Sequence, residues 1–464
     1  MTLKGKHVLV LGLGESGLAM ALWLARIGAR LTVADSRANP PGVADLDKGA
    51  PGAKKVFGPF DAALLEGVDL LALSPGLSPN EAVVVEARAR GIPVTGEIEL
   101  FAQALRDLDW RDKTRVIAIT GTNGKTTTTT LVGEMCRAAG LLTAVAGNIS
   151  PAALTALMAC LDAGKSPDAW VLELSSFQLE TLETLAPEAA TVLNVTDDHL
   201  DRHGDLDGYG EAKARIFQGH GVQVLNRQDG RVLAMARPGQ PVMSFGLDVP
   251  AGRNDFGLAE RDGRPWLVCG SEPLLSLSDM PLAGLHNAAN ALAALALCTG
   301  IGLPLAPLLD ALRGFKGLAH RVEWVADIGG VAFYDDSKGT NVGATVAALE
   351  GLGRKVAVIL GGDGKGQDFS PLKDVVAKHA RAVALIGRDA PLIEAALAGC
   401  GVPLLRCEDM AAAVEAAAVA AQQGDAVLLS PACASMDMYR NYAHRAEVFV
   451  AAVRSLADRR ECGR

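Results

Sequence analysis

The sequence predicts an α/β protein built as three domains, and three observations carry that prediction. The chain has 464 residues, which at roughly 150 residues per domain leaves room for about three. Apolar strand-like runs alternate with helical patterns through three successive segments, as parallel sheets with crossover helices require. Glycine is abundant, at 51 residues, while aromatics make up only 4% of the chain. Glycine scattered without a period suits many tight strand-to-helix turns, not collagen.

Composition narrows the function. An apolar fraction of 49% with 21% charge describes a soluble globular chain able to bury sizeable cores. The net charge of −9 argues against a surface that tracks nucleic-acid phosphates, which needs a basic excess; small anions can still be held locally. The cysteines at 136, 160, 269, 298, 400, 407, 433 and 462 form no CxxC pair, so neither a zinc cluster nor a disulfide framework is predicted. A reducing cytoplasm fits best. The opening MTLKGKHVLVLGLG imitates a signal peptide, but its apolar run is short and no small-residue cleavage site follows. No stretch approaches the ~20 apolar residues of a membrane span, so no membrane partner is expected.

In the first segment, 1–109, strand KHVLVLG leads through GLGESG into helix SGLAMALWLARIG and then strand RLTVAD, a βαβ unit. VDLLALSPG and IPVTGEIEL read as further strands, and the charged stretch 106–114 as a linker. The second segment, 110–317, restarts with strand RVIAIT, loop GTNGKTT and a threonine-rich helix start, and continues through WVLELSS and ATVLNVT. Short runs between turns over 222–282 suggest a small antiparallel excursion. The helix HNAANALAALALCTG then closes this segment. The third, 318–464, alternates strands VAFYDD, KVAVILGG, AVALIG and DAVLLSP with alanine-rich helices. The predicted architecture is therefore an N-terminal Rossmann-like domain, a central P-loop ATPase-type sheet with that excursion, and a C-terminal Rossmann-like domain.

Gly12, Gly14 and Gly17 fit G-x-G-x-x-G, and Asp35 ends the next strand. Such a turn brings a diphosphate to a helix N-terminus. It fits a dinucleotide, a UDP-sugar or a tight turn whose glycines serve packing. GTNGKTT is sharper: Gly121, Asn123 and Gly124 can turn N–H groups inward, Lys125 can reach β/γ-phosphates, and Thr126 can meet Mg²⁺. Ile119 stands where the usual first glycine would fall, so the loop is a shortened variant. Glu173, and Asp197, Asp198 and His199, follow strand ends that converge beside this loop in an open sheet. Lys213 reads from periodicity alone as a solvated helix lysine. Asn287 and Asn290 lie three apart on one helix face, placed to meet an adenine edge or to cap the helix. Arg321, Asp336, Lys338, Thr340, Lys365, Ser435 and Tyr442 sit in or near three polar strand-end loops of the third segment, which together suggest a crevice for a small anion.

With these motifs assembled, the chain resembles the Mur ligases over nearly its whole length. The motifs, in order, are GLGESG, DSR, SPG, GTNGKTT, GNIS, LELSSFQLE, NVTDDHLDRHG, EAKARIF, GLHNAANALAA, AHRVE, DDSKGTN, LGGDGKGQDFSPL and SPACASMDMYRNY. The resemblance implies an ATP- and Mg²⁺-dependent cytoplasmic ligase of cell-wall precursor synthesis, with UDP-N-acetylmuramoyl-L-alanine and D-glutamate as substrates and a monomer expected. It implies UDP-substrate contacts at Ser16, Asp35, Ser36, Arg37, Ser74 and Asn148. It implies ATP contacts at Gly121, Thr122, Asn123, Gly124, Lys125, Thr126, Thr127, Asn287, Asn290, Arg321 and Asp336. Metal ligands fall at Thr126, Glu173, His199 and Lys213, the last matching the family's carbamylated lysine. Lys125, Glu173, His199, Lys213 and Lys338 form the implied catalytic set, and Thr340, Lys365, Ser435 and Tyr442 the glutamate site. Tyr442 stands where phenylalanine is frequent, and GNIS where GNIG is more usual. Open beside this reading are a sister ligase or folylpolyglutamate synthase, an NAD-dependent oxidoreductase suggested by GLGESG with Asp35, and a non-catalytic nucleotide-binding module.

Overall fold

The computed structural model describes residues 3–282 and 284–462, with side chains through 460. Three sheets organise them. The first is fully parallel in the order Lys54–Phe57, Arg30–Asp35, His7–Leu11, Leu70–Leu73, Val94–Thr95. The central sheet has nine strands, with Arg115–Thr120 between Ala189–Val192 and Ala169–Glu173. The third has six, in which Val331–Asp335, Ala426–Leu429 and Val356–Gly361 are adjacent and parallel. Val8, Val10, Val116, Ile117, Val171, Val358 and Leu428 are fully buried, as strands covered on both faces must be. Helices deliver that cover.

Two expectations are corrected. IPVTGEIEL is not one strand: pairing stops at Thr95, and helix Glu97–Asp107 starts after the cap Gly96. Ile98, Phe101, Ala102 and Leu105 recur at helical spacing and are all buried, so the 3.6-residue period overrides the β-prone start. The antiparallel excursion expected over 222–282 is present but shorter than that run. Val222–Asn226 and Val242–Phe245 extend the central sheet in parallel, and the antiparallel pairing begins with Phe256–Arg261 and Arg264–Cys269.

Contacts divide the chain into two compact units. One reaches Val195 and takes in His199–Leu275 and Ala291–Leu312; the other holds Thr196–Asp198, Ser276–Asn290 and the chain from Arg313 on. The first unit contains two sheets because one continuous core joins them, running from Val8, Trp23 and Phe101 to Trp170, Leu172 and Phe217. The expected linker 106–114 is correspondingly tied down: the Arg111 guanidinium donates to the Ala186 carbonyl and pairs with Glu188.

Glu97 is part of this junction. Its carboxylate accepts from the Leu154 N–H at 2.8 Å, and burial pushes its pKa from 4.5 up to about 7. A carboxylate whose folded pKa is raised contributes stability that is complete below its unfolded pKa and lost as pH rises through the folded one. Glu97→Gln keeps the acceptor and removes the charge. It is expected to leave stability near pH 4 unchanged and to raise it by about 3 kcal/mol above about pH 8. Denaturant unfolding at the two pH values checks this.

Seven of the cysteines are free thiols, and the side chain of Cys462 lies outside the described residues. No helix among the described residues is long and apolar enough to cross a membrane.

Candidate active site

The glycines of the loop after His7–Leu11 divide into tightly packed and open positions. Gly12 has φ +86°, and a Cβ there would meet the Ser74 Cβ at 2.8 Å. At Gly17 a Cβ would lie 1.8 Å from the Gly12 carbonyl oxygen. Both glycines serve packing. At Gly14, the helix N-cap, nothing lies within 4 Å of an added Cβ, so packing does not explain it. Gly17→Ala is therefore expected to impair folding, visible as lost soluble yield and a lowered melting temperature. Gly14→Ala is expected to fold normally, with soluble yield and melting temperature near those of wild type.

Asp35 is buried and receives the Leu13 N–H at 2.7 Å and both Nε and Nη2 of Arg37 at 2.8 and 2.7 Å. The bidentate Arg37 holds its carboxyl down at about 2. Asp35 thus fixes the loop and presents a half-exposed guanidinium, which suits an anionic group better than a ribose hydroxyl. Ser74 is buried beneath Gly12, while Ser36 is exposed and Ser16 partly so.

In the central sheet, strand Arg115–Thr120 runs into Gly121 at φ +153° and Gly124 in the left-handed region, which caps helix Lys125–Ala138. Asn194, following Ala189–Val192, locks the loop from outside. Its side chain accepts from the Asn123 N–H at 2.8 Å and donates back to the Asn123 carbonyl at 3.2 Å, and its carbonyl accepts from the Thr122 N–H. The Lys125 ammonium donates to the Gly121 and Thr122 carbonyls, each at 2.8 Å. Thr126 is partly exposed at the helix start and Thr127 is buried beside it.

Lys213 corrects its reading as a solvated helix lysine. It is 1% exposed, its Nζ donates to the Gly121 carbonyl at 3.0 Å, and it lies 4.2 Å from the Tyr209 ring centroid. Two lysines from distant elements thus converge on one carbonyl of the loop. Two like charges so close call for an anion nearby or for a chemical change in one of them.

Glu173, at the end of Ala169–Glu173, is 2% exposed. Its Oε1 accepts from the Asn148 side chain at 2.7 Å, and its Oε2 is buried without a hydrogen-bond partner among the described residues. An orphaned buried carboxylate oxygen is costly, and a hard divalent cation is its natural complement. The residues present therefore fit Mg²⁺. His199 adopts φ +54° at the head of the short helix Leu200–His203, with its ring edge-on to Phe177 at 4.8 Å.

In the second unit, Asn290 donates to the Asn287 side-chain oxygen at 3.3 Å, so the pair shares one face as its spacing predicts. Asp336 is buried and accepts from the Ser430 hydroxyl at 2.7 Å; burial pushes its carboxyl up to about 7, against the nearby Arg321 charge. Lys338 lies over the Tyr442 ring, 3.8 Å from its centroid. The three polar loops are stitched together: Asp363 and Ala434 exchange backbone hydrogen bonds, and Ala432 donates to the Gly339 carbonyl. Gln367 donates to the Gly364 and Ala432 carbonyls. Ser435 is buried in this cluster and Lys365, at φ +51°, is exposed at its edge. Thr340 is partly buried and donates its N–H to the Lys338 carbonyl.

The sites expected from sequence thus fall in both units. Loop 121–127, Glu173, His199 and Lys213 belong to the first, and Asn287, Asn290, Arg321, Asp336 and the glutamate set to the second. Sequence reading did not single out Asn194, Gln367 or Arg445. Arg445 had a signal: it sits four residues before Phe449, on the buried stripe of helix Tyr442–Cys462 that continues through Val453 and Leu456.

Residues 6–96 match the model described as Mur ligase MurD-like, N-terminal domain; 119–298 match Mur ligase middle domain; 320–433 match Mur ligase, glutamate ligase domain. A protein of Aromatoleum aromaticum named UDP-N-acetylmuramoylalanine--D-glutamate ligase is 63% identical, covering 98% of each chain. One of the same name from Dechloromonas aromatica is 57% identical over 98% of this chain and 100% of its own. Among solved structures, a MurF of Acinetobacter baumannii shares the fold with a TM-score of 0.60 at 19% identity, covering 97% of this chain and 90% of its own. The UDP-N-acetylmuramate-alanine ligase MurC of Thermotoga maritima does so with 0.59 at 22%, covering 97% and 99%. With loops, buried carboxylate and lysine pair all in place and three family domains matched along its length, the chain belongs to the Mur ligase family.

Proposed function

We infer that the chain is an ATP-dependent ligase that joins D-glutamate to UDP-N-acetylmuramoyl-L-alanine in the synthesis of cell-wall precursors in the cytoplasm. The observation that carries this reading is the likeness along nearly the full length to relatives named for that activity. The convergence of Lys125 and Lys213 on the Gly121 carbonyl supports it as a phosphoryl-transfer site.

The chemistry follows from the substrates. A carboxylate is a poor electrophile because its charge is delocalised. An oxygen of the alanyl carboxylate attacks the γ-phosphorus of ATP, ADP leaves, and an acyl phosphate forms. The amine of glutamate, once deprotonated, attacks the acyl carbon, and the tetrahedral intermediate expels phosphate. Two anions meet in the first step, so charge neutralisation and positioning dominate. Lys125 answers the phosphate charge, and the loop N–H groups held by Asn194 cradle it. Thr126, Glu173, His199 and a carbamylated Lys213 would hold Mg²⁺, which supplies further neutralisation when bound. Asn287 and Asn290 hold the adenine, with Arg321 and Asp336 on the nucleotide. Ser16, Asp35, Ser36, Arg37, Ser74 and Asn148 bind the UDP-substrate. Lys338, Thr340, Lys365, Ser435 and Tyr442 receive glutamate. We assign the UDP-substrate chiefly to residues 1–109, ATP chiefly to 110–317 and glutamate to 318–464.

Phosphate release with UDP-N-acetylmuramoyl-L-alanine and ATP, run with one amino acid at a time, tests the substrate. D-glutamate alone is expected to drive release. Release driven instead by another amino acid would reassign the chain to a sister ligase.

A further inference from the structure

Arg445 is a fully buried cation. It lies on helix Tyr442–Cys462, is 0% exposed, and ranks with Trp170 among the largest enclosed side chains. No carboxylate among the described residues lies within ion-pair distance of it. Its hydrogen bonds go elsewhere: Nε to the Ser337 hydroxyl at 2.9 Å, Nη2 to the Ser337 carbonyl at 2.7 Å, and Nη1 to the Cys433 carbonyl at 3.0 Å. The Ser337 hydroxyl in turn donates to the carbonyl of Tyr442 at 2.8 Å, back on Arg445's own helix. Burial pushes the guanidinium pKa down to about 10, against the more distant carboxylates of Asp437 and Asp335.

Stability alone does not account for such a residue. Replacing buried charges with apolar side chains of similar volume is commonly neutral or stabilising, and Phe449, Val453 and Leu456 on the same stripe show that this face packs apolar side chains. What an apolar residue cannot do is hold two loops at once. Ser337 immediately precedes Lys338, and Cys433 lies two residues before Ser435. The planar fork spans both loops with three donors in fixed geometry, which a lysine point charge cannot reproduce. The same helix begins at Tyr442, over which the Lys338 ammonium lies.

We propose that Arg445 is the positioning residue of the glutamate subsite, clamping loops 335–340 and 430–435 from inside so that Lys338, Ser435 and Tyr442 meet the amino acid in one geometry. The proposal rests on the reading that those three residues receive glutamate. Displacement of binding groups by about 1 Å can cost a factor near 100 in rate, so loss of the clamp acts chiefly on glutamate; Asp336, in the same loop, keeps its own anchor in the Ser430 hydroxyl.

The test compares steady-state kinetics and melting of Arg445→Met, Arg445→Lys and, as control, Lys365→Ala. In folded Arg445→Met the KM for glutamate is expected to rise about tenfold or more, with the KM values for ATP and the UDP-substrate within about twofold of wild type. Arg445→Lys is expected to recover part of that loss. An unchanged glutamate KM in folded Arg445→Met, or a parallel shift of all three KM values with the melting temperature, overturns the proposal. If Arg445→Met does not fold, Arg445→Lys decides by the same split: a selectively raised glutamate KM supports the clamp, and an unchanged one overturns it. Lys365→Ala separates the two claims: a raised glutamate KM there keeps the subsite in place, so that an unchanged one in Arg445→Met overturns the clamp alone.

Discussion

Lys125→Ala is expected to leave a folded protein whose turnover falls by at least about 100- to 1000-fold, the loss that follows removal of one pre-aligned charge or donor from a phosphoryl or oxyanion site. The Lys125 ammonium donates to the Gly121 and Thr122 carbonyls of its own loop. The loop itself is held by Asn194 through both backbone and side chain, so the truncation leaves its frame in place. Circular dichroism and the melting curve should match wild type while glutamate-dependent phosphate release disappears. Retained phosphate release in a folded Lys125→Ala would remove the lysine from the phosphoryl step and favour a module that binds nucleotide without transferring it.

Lys213→Ala is expected to be nearly as damaging, by about 100-fold or more, for a different reason. A carbamate on Nζ would keep one N–H for the Gly121 carbonyl and turn a buried cation into an anion. It also removes the repulsion between two ammonium groups on one carbonyl. Lys213→Arg, which preserves positive charge, is therefore expected to lose as much as Lys213→Ala. Protein equilibrated with ¹³C-bicarbonate should give a carbamate resonance in wild type that is missing from Lys213→Ala. An active Lys213→Arg variant without such a resonance would show instead that a simple cation suffices.

How much of this was legible in the sequence depended on where the signal was local. The glycine loops and the lysine-threonine helix start announce themselves because a turn, a cradle and a helix N-terminus are written in consecutive residues. Glu97–Asp107 was misread because the residues just before it, IPVT, favour a strand and its helical period shows only when Phe101 and Leu105 are counted with Ile98. Lys213 was legible only through family resemblance: its helix gives no periodic hint of burial, and the carbonyl it meets is 92 residues away. Arg445 had a periodic signal but no motif, and its partners Ser337 and Cys433 come from two other loops. Joining the first two sheets through one core was likewise a long-range fact, since Phe101 packs edge-on against Trp170 at 4.9 Å.

The claim on which everything else depends is that the alanyl carboxylate is activated as an acyl phosphate and captured by D-glutamate. The direct measurement uses UDP-N-acetylmuramoyl-L-alanine labelled with ¹⁸O in both carboxylate oxygens, together with ATP and either D- or L-glutamate, and weighs amide product and released phosphate by mass spectrometry. The mechanism sends one labelled oxygen to phosphate and leaves the other in the new amide, with D-glutamate alone. Unlabelled phosphate, or an amide formed equally with L-glutamate or without ATP cleavage, would contradict it.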